Sequence, residues 1–413
     1  MFASEIPSPM KGLLRNFAPL LSRPQQENLA RTVVGMMTTE GEKCVKNVND
    51  SFVPHKDQSN LNRFITDPKW DYRALNERRV ALVEDELGLK GSELCYLLLD
   101  DTNVERYGGE GVGYHHDSKH GMIKGHNYVT EVCSVVDGTL YPVDLRLYMP
   151  EGTSSKPFRS KIELACELID AFDPPSRRTI VEFDEWYLCG DVVKHVEERG
   201  FDWMSEAKSN RVLFHGVDEQ GKGERLRVDE LAERMRPFFR DVEVDGELYQ
   251  CLDTEAYMPK VGETRLLLNC RADTKDIHYA CTNILREREG STTATILRRA
   301  LKRAEIESFH WDIKNVLGFG DYRFRGSDAA IIHSHLVLLT YSLLLIAKRR
   351  VERREALEDK EERSSRHSIG EACRWMRDRC IVAFCRWIGE RLSQGTQFPK
   401  ILAAINPRLR SYK

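Results

Sequence analysis

The chain has 413 residues, enough for one large domain or for two to three ordinary ones. Its 41% hydrophobic and 9% aromatic content is that of a soluble globular protein. With 62 basic and 65 acidic residues the formal net charge is -3, so nothing global advertises nucleic acid, although Lys and Arg can still line one face.

Eleven cysteines are scattered without a CxxC pair or zinc-finger spacing, and read as reduced thiols of a cytosolic protein. The N-terminus carries no signal-peptide pattern. The longest apolar stretch, AAIIHSHLVLLTYSLLLIAKRR, is interrupted by His333 and His335 and ends in a basic run. It reads as a buried helix with core histidines, and no membrane is expected.

Residues 1–90 have apolar residues at helical spacing and predict a small helical bundle. From residue 94 the character changes. LCYLLLDD is a short apolar run ending in acid, as a strand buried on both faces would be. A Gly-rich stretch follows with His115, His116, His120 and His126 around Asp117, read as a flexible loop rather than a transition-metal site. NYVTEVCSVVDGTLYPVDLRLYMP predicts two strands joined at Asp137–Gly138. Then come a helix (KIELACELIDAF), a strand ending in acid (RTIVEFDEWY), a second helix and a short strand (FDWMSEA).

This order predicts an α/β mixed sheet flanked by helices over 91–210. Residues 211–290 read as an inserted β-rich subdomain, and 291–350 as the last, helical part of the same domain. A charged run and a basic amphipathic helix fill 351–413, to cover the core, touch DNA, or both.

Asp100 and Asp184 each end an apolar strand run. Ends of parallel strands share one edge, where ligand sites sit. Two carboxylates there repel each other unless a hard cation lies between them, and magnesium takes oxygen ligands. A lone strand-end Asp is ordinarily just a turn residue; the pair is what suggests a site. Asp101 competes with Asp100 for the first position. For a third ligand, the segment near residue 307 offers Glu307, with Glu305 as alternate. At helical spacing Arg303, Glu307, His310 and Lys314 share one face, suited to a carboxylate on metal and cations on a phosphate backbone. Ordinary surface ion pairing would give the same pattern.

These residues resemble the bacterial insertion-sequence cut-and-paste transposases with an Asp-Asp-Glu triad. The resemblance rests on Asp100-Asp101-Thr102, on Asp184-Glu185-Trp186-Tyr187, and on Arg303, Glu307 and Lys314 at the family's separations. Ala300 stands where the family carries Tyr. The likeness extends over roughly residues 25–350. It implies an RNase H-like fold, an N-terminal helical domain that binds element-end DNA, and an insertion before the Glu. It implies Asp100, Asp184 and Glu307 as catalytic metal ligands for two Mg2+ ions, with Mn2+ able to substitute. Arg303, Lys314 and His310 would position DNA phosphates, and Thr102, Trp186 and Tyr187 would support the site. The Trp186–Tyr187 pair would pack the site or stack on a displaced base. Cleavage at element ends and 3′-OH strand transfer into target DNA would follow, by a homodimer on double-stranded DNA in the cytoplasm at the nucleoid. A nuclease of the same fold without strand transfer, and a catalytically silent domesticated DNA-binding protein, are the alternatives.

Overall fold

The computed structural model describes residues 2–117, 121–216, 223–271, 273–274, 276–288, 290–358 and 368–405. Five helices lead the chain: α1 (Ser8–Leu14), α2 (Arg23–Thr38), α3 (Val45–Asp50), α4 (Gln58–Thr66) and α5 (Tyr72–Leu87). Local chemistry sets their ends. Ser22 and Gln25 form a capping box before α2. The Asp71 carboxylate accepts from the N–H groups of Arg73 and Ala74, and Gly88 closes α5 in the left-handed region at φ 69°.

The sheet begins with β1 (Ser92–Glu105), β2 (Gly113–Asp117), β3 (Gly121–Val135) and β4 (Leu140–Tyr148). After α6 (Lys161–Ala171) come β5 (Ser176–Phe183), α7 (Gly190–Glu198) and β6 (Asp202–Glu206). β1, β5 and β6 run parallel side by side, while β3 lies antiparallel on the other side of β1. This is the predicted mixed sheet with flanking helices, an RNase H-like arrangement.

Two sequence expectations change here. β1 does not stop at the acids but runs on to Glu105, because β3 remains its partner after β5 has ended at Phe183. The His-rich stretch is not a loose loop: β2 and the start of β3 pair as a hairpin. His115 is buried and bonds the Gly125 carbonyl at 3.1 Å; His126 is buried between the Tyr322 hydroxyl and the Glu110 carbonyl. His120 lies outside the described residues.

The interval 211–290 holds β7 (Val212–His215), β8 (Glu224–Arg227), α8 (Val228–Met235), β9 (Arg240–Val244), β10 (Glu247–Met258), β11 (Gly262–Arg271) and β12 (His278–Thr282). Asp245 at φ 51° and Gly246 at φ 82° make the tight β9–β10 turn, a conformation suited to an Asp-Gly pair. These strands are not a separate sheet. β12 pairs antiparallel with β6, Cys281 opposite Ser205, so among the described residues one 12-stranded sheet runs through core and insertion.

The chain then turns helical: α9 (Thr293–Ala300), a 3-10 turn over Leu301–Ala304, α10 (Glu305–Trp311) and a π turn over Asp312–Val316. A buried pair ties the start of this path to the insertion. Arg265 forks onto both Asp253 oxygens at 2.9 and 2.6 Å, Asp253 also accepts from Thr293, and Arg265 donates to the Ser291 carbonyl.

α11 (Ser327–Glu358) is long and apolar enough to cross a membrane, but its most apolar window is 94% buried inside the protein. His333 bonds the Gly318 carbonyl and His335 lies 3.4 Å from the Asn76 side chain, as core histidines do. α12 (Ile369–Ser393) buries Ile369, Cys373 and Met376 and leaves Ile381, Val382 and Leu392 exposed; α13 (Phe398–Ile405) follows.

Arg79 clamps the helical layer to the sheet. It is fully buried and donates to the Asn76 side chain, the Pro142 and Val143 carbonyls and the Ser342 hydroxyl. Burial lowers its pKa only to about 10, so it stays charged at neutral pH. Arg79→Met fills similar space but takes the guanidinium from the buried Pro142 carbonyl, the Ser342 hydroxyl and the Asn76 oxygen, and leaves the Val143 carbonyl only the Asn76 amide. The unfolding free energy should fall by roughly 3 kcal/mol, read as a lower urea midpoint at unchanged slope.

Candidate active site

The parallel register places the two aspartates. Leu99 pairs with Phe183, so Asp100 and Asp184 are the next residues on adjacent strands, whose axes lie about 4.8 Å apart. Asp184 leaves β5 into a turn in which its Oδ1 accepts from the N–H groups of Trp186 at 2.9 Å and Tyr187 at 3.2 Å. Asp100 Oδ1 accepts from the N–H of Asp101 at 2.7 Å.

Alternation along β1 separates Asp100 from Asp101. The face of Tyr96, Leu98 and Asp100 is covered by the helical path of α9 and α10. Arg303 approaches Asp100 at 3.9 Å, Glu305 accepts from Ser134 at 2.6 Å, and His310 bonds Thr130 at 2.7 Å; Ser134 and Thr130 are the β3 partners of Tyr96 and Asp100. Asp101 points to the other face. There Lys161, at the start of α6, reaches it at 2.8 Å, and Asn127 donates to the same oxygen. Asp101 thus has a resident ammonium, and Asp100 faces the helix that carries the glutamates.

Burial and like charges set the electrostatics. Burial, then the charges of Asp184 and Asp101, push the Asp100 carboxyl up to about 7, with Arg303 opposing. Burial, joined by the charge of Asp101, also raises Asp184, opposed by the Tyr187 and Trp186 amides and by Arg303. A cation between them would relieve this repulsion, and oxygen-only donors suit a hard divalent ion.

The predicted third ligand sits apart from this pair. Glu307 is exposed and lines a cavity of about 290 Å³ together with Arg303, Glu182, Ser205 and Glu206. Among the described residues no three Asp, Glu, His or Cys side chains converge closely enough to hold one metal ion. Glu305, the alternate, is half-buried and held by Ser134 and by Lys302 at 2.8 Å.

The expectation that Arg303, Glu307, His310 and Lys314 share one face is corrected. Arg303 and Glu307 share the cavity, but His310 turns into the core, and burial lowers its pKa to about 3. A neutral, buried imidazole anchors the helix on Thr130 and offers no charge to a phosphate. The 3-10 turn before α10 and the π turn after it break the uniform spacing that the sequence argument assumed. Lys314 lies in that π turn. The aromatic pair also divides. Tyr187 is fully buried, while Trp186 is 47% exposed, edge-on to Tyr187, with the Lys161 ammonium 5.5 Å from its ring. Thr102 is buried opposite Tyr128.

Sequence reasoning missed Glu206 and Lys161. Glu206 ends β6 beside Asp184, since Phe183 pairs with Ser205. The strand-end acid that singled out the other two was present in FDWMSEA as well. Nothing in the sequence marks Lys161.

The family model described as DDE superfamily endonuclease matches residues 16–227. No curated protein sequence matches the chain. Among solved structures, the cryo-EM structure of a piggyBac transposase synaptic complex with hairpin DNA is similar at a TM-score of 0.50 and 11% identity, covering 93% of this chain and 76% of that one. The likeness is one of fold.

Proposed function

Because the chain belongs to the family of DDE superfamily endonucleases, we propose that it is a metal-dependent DNA transposase, which cuts at element ends and transfers the freed 3′-OH to target DNA. The observation that carries this reading is the registered pair, Asp100 beside Asp184 where the parallel pairing of β1 and β5 stops, on the face covered by the helical path bearing Glu307. Asp100 and Asp184 would hold the divalent ions, Mg2+ or Mn2+, with Glu307 completing the set from across the cavity. When bound, the ions supply an activated nucleophile and stabilise charge on the leaving oxygen.

The chain's own groups do the remaining work. Arg303, half-buried at the site, neutralises charge on the scissile phosphate, and Lys314 holds the strand further along. Exposed Trp186 offers a flat face for a base next to the Lys161 ammonium, while Tyr187 packs beneath. Asp101, paired with Lys161, keeps that lysine in place and takes no metal. Double-stranded DNA is the proposed partner; the solved structure of like fold was captured with hairpin DNA. Joint handling of element ends calls for a homodimer on that DNA, at the nucleoid.

Incubation of the full chain with end DNA, a target plasmid and Mg2+ tests the reading. Joined products are expected. Cleavage without joining would assign the nuclease alternative. DNA binding without cleavage, unchanged in Asp184→Ala, would assign a silent binding protein and overturn the proposal.

A further inference from the structure

Three acids line up where the parallel pairing stops: Asp100 within β1, Asp184 just after β5 and Glu206 at the end of β6. The outer two share one cation. Arg303 lies 3.9 Å from Asp100 through one guanidinium nitrogen and 3.6 Å from Glu206 through the other. The guanidinium therefore spans the strand ends where the proposed metal ions belong. A fourth acid, Glu182 on β5, is 1% exposed, has neither oxygen hydrogen-bonded, and lines the same cavity as Arg303. Lys302 and Arg299 also lower the Glu182 carboxyl, but burial outweighs all three cations and holds it well above the usual carboxylate range.

We propose that Glu206 is a positioning residue that acts through Arg303. With Asp100 it stations the guanidinium as the site's resident cation, and it receives Arg303 when a divalent cation takes Asp100. A single long side chain already in contact with both acids needs only a small rotation to pass from sharing to resting wholly on Glu206. The planar fork suits this, because its two ends serve the two carboxylates separately. Glu206 is 44% exposed at its side chain, so its charge costs little desolvation and it can act as a parking place. The inference rests on the proposed metal-holding role of Asp100 and Asp184.

Mn2+ binding to the full chain without DNA, followed by the electron paramagnetic resonance signal of free Mn2+, tests it apart from activity. Asp184→Asn should lose most binding; equal binding in Asp184→Asn and the native protein would overturn the metal reading itself. Arg303→Gln removes the competitor and should tighten Mn2+ about three-fold to ten-fold. Glu206→Gln strands Arg303 on Asp100 and should weaken Mn2+ about three-fold, with Glu206→Asp recovering part of the loss. The decisive comparison is Glu206→Gln in the Arg303→Gln background. If Glu206 acts through Arg303, its effect there should fall to less than half on a logarithmic scale. Equal weakening in both backgrounds would reduce Glu206 to a general electrostatic contribution and overturn the proposal, as would unchanged Mn2+ binding in Arg303→Gln.

Discussion

Asp184→Asn and Asp100→Asn should each reduce end-DNA cleavage by at least about 10³-fold, roughly 4 kcal/mol of barrier, with DNA binding retained. Asn keeps the shape. In Asp184→Asn the side-chain carbonyl still accepts from Trp186 and Tyr187, so the turn after β5 persists. Asp100→Asn should also stabilise the metal-free protein. The Asp100 carboxyl lies near 7 in the fold against 3.8 as a free group. Between those values the folded state holds more protons than the unfolded one, so stability falls as pH rises through this window and the loss is complete above it. Asn removes that loss. The gain should be absent near pH 4 and reach on the order of a few kcal/mol at pH 8. Lost cleavage together with gained stability is the signature of a site whose acids await a cation. Denaturation curves at the two pH values and a cleavage assay read it.

Glu307→Ala and Glu305→Ala should separate in opposite directions. Glu307 is exposed, so truncation should leave stability within about 0.5 kcal/mol and cost about 10³-fold in cleavage. Glu305 is held by Ser134 and Lys302, so its loss should cost about 1 kcal/mol of stability and little cleavage. The reverse pattern would make Glu305 the ligand. Under the proposed role, Glu307 would close on the aspartates when metal and DNA bind. The 3-10 and π turns flanking α10 depart from regular α-helical hydrogen bonding and are the natural place for that adjustment.

The legible parts of the fold were those written locally. Apolar runs ending in acid gave β1 and β5, the Asp137–Gly138 turn gave β3 and β4, and unbroken apolarity gave α11. What stayed hidden depends on pairing between distant segments. β1 extends past its acids because β3 supplies a partner, and the insertion joins the core through β12 on β6. Neither pairing leaves a mark within either strand. At the site, the alternation of β1 could not choose between Asp100 and Asp101 until the helices covering each face were known. Uniform helical spacing put His310 beside Arg303, whereas the chain changes helix type twice there and buries the ring. Glu206 was within reach, since the strand-end rule applied to it equally.

In the proposed site Asp100 and Asp184, and not Asp101, hold the divalent ions. A crystal structure of the full chain with end DNA and Mn2+, using the anomalous signal of manganese, tests it most directly. A manganese peak is expected with oxygens of both Asp100 and Asp184 at about 2.1 Å and Glu307 drawn in from the cavity wall. Manganese on Asp101 with Lys161 displaced, or Asp100 and Asp184 left without metal in a DNA-bound complex, would contradict it.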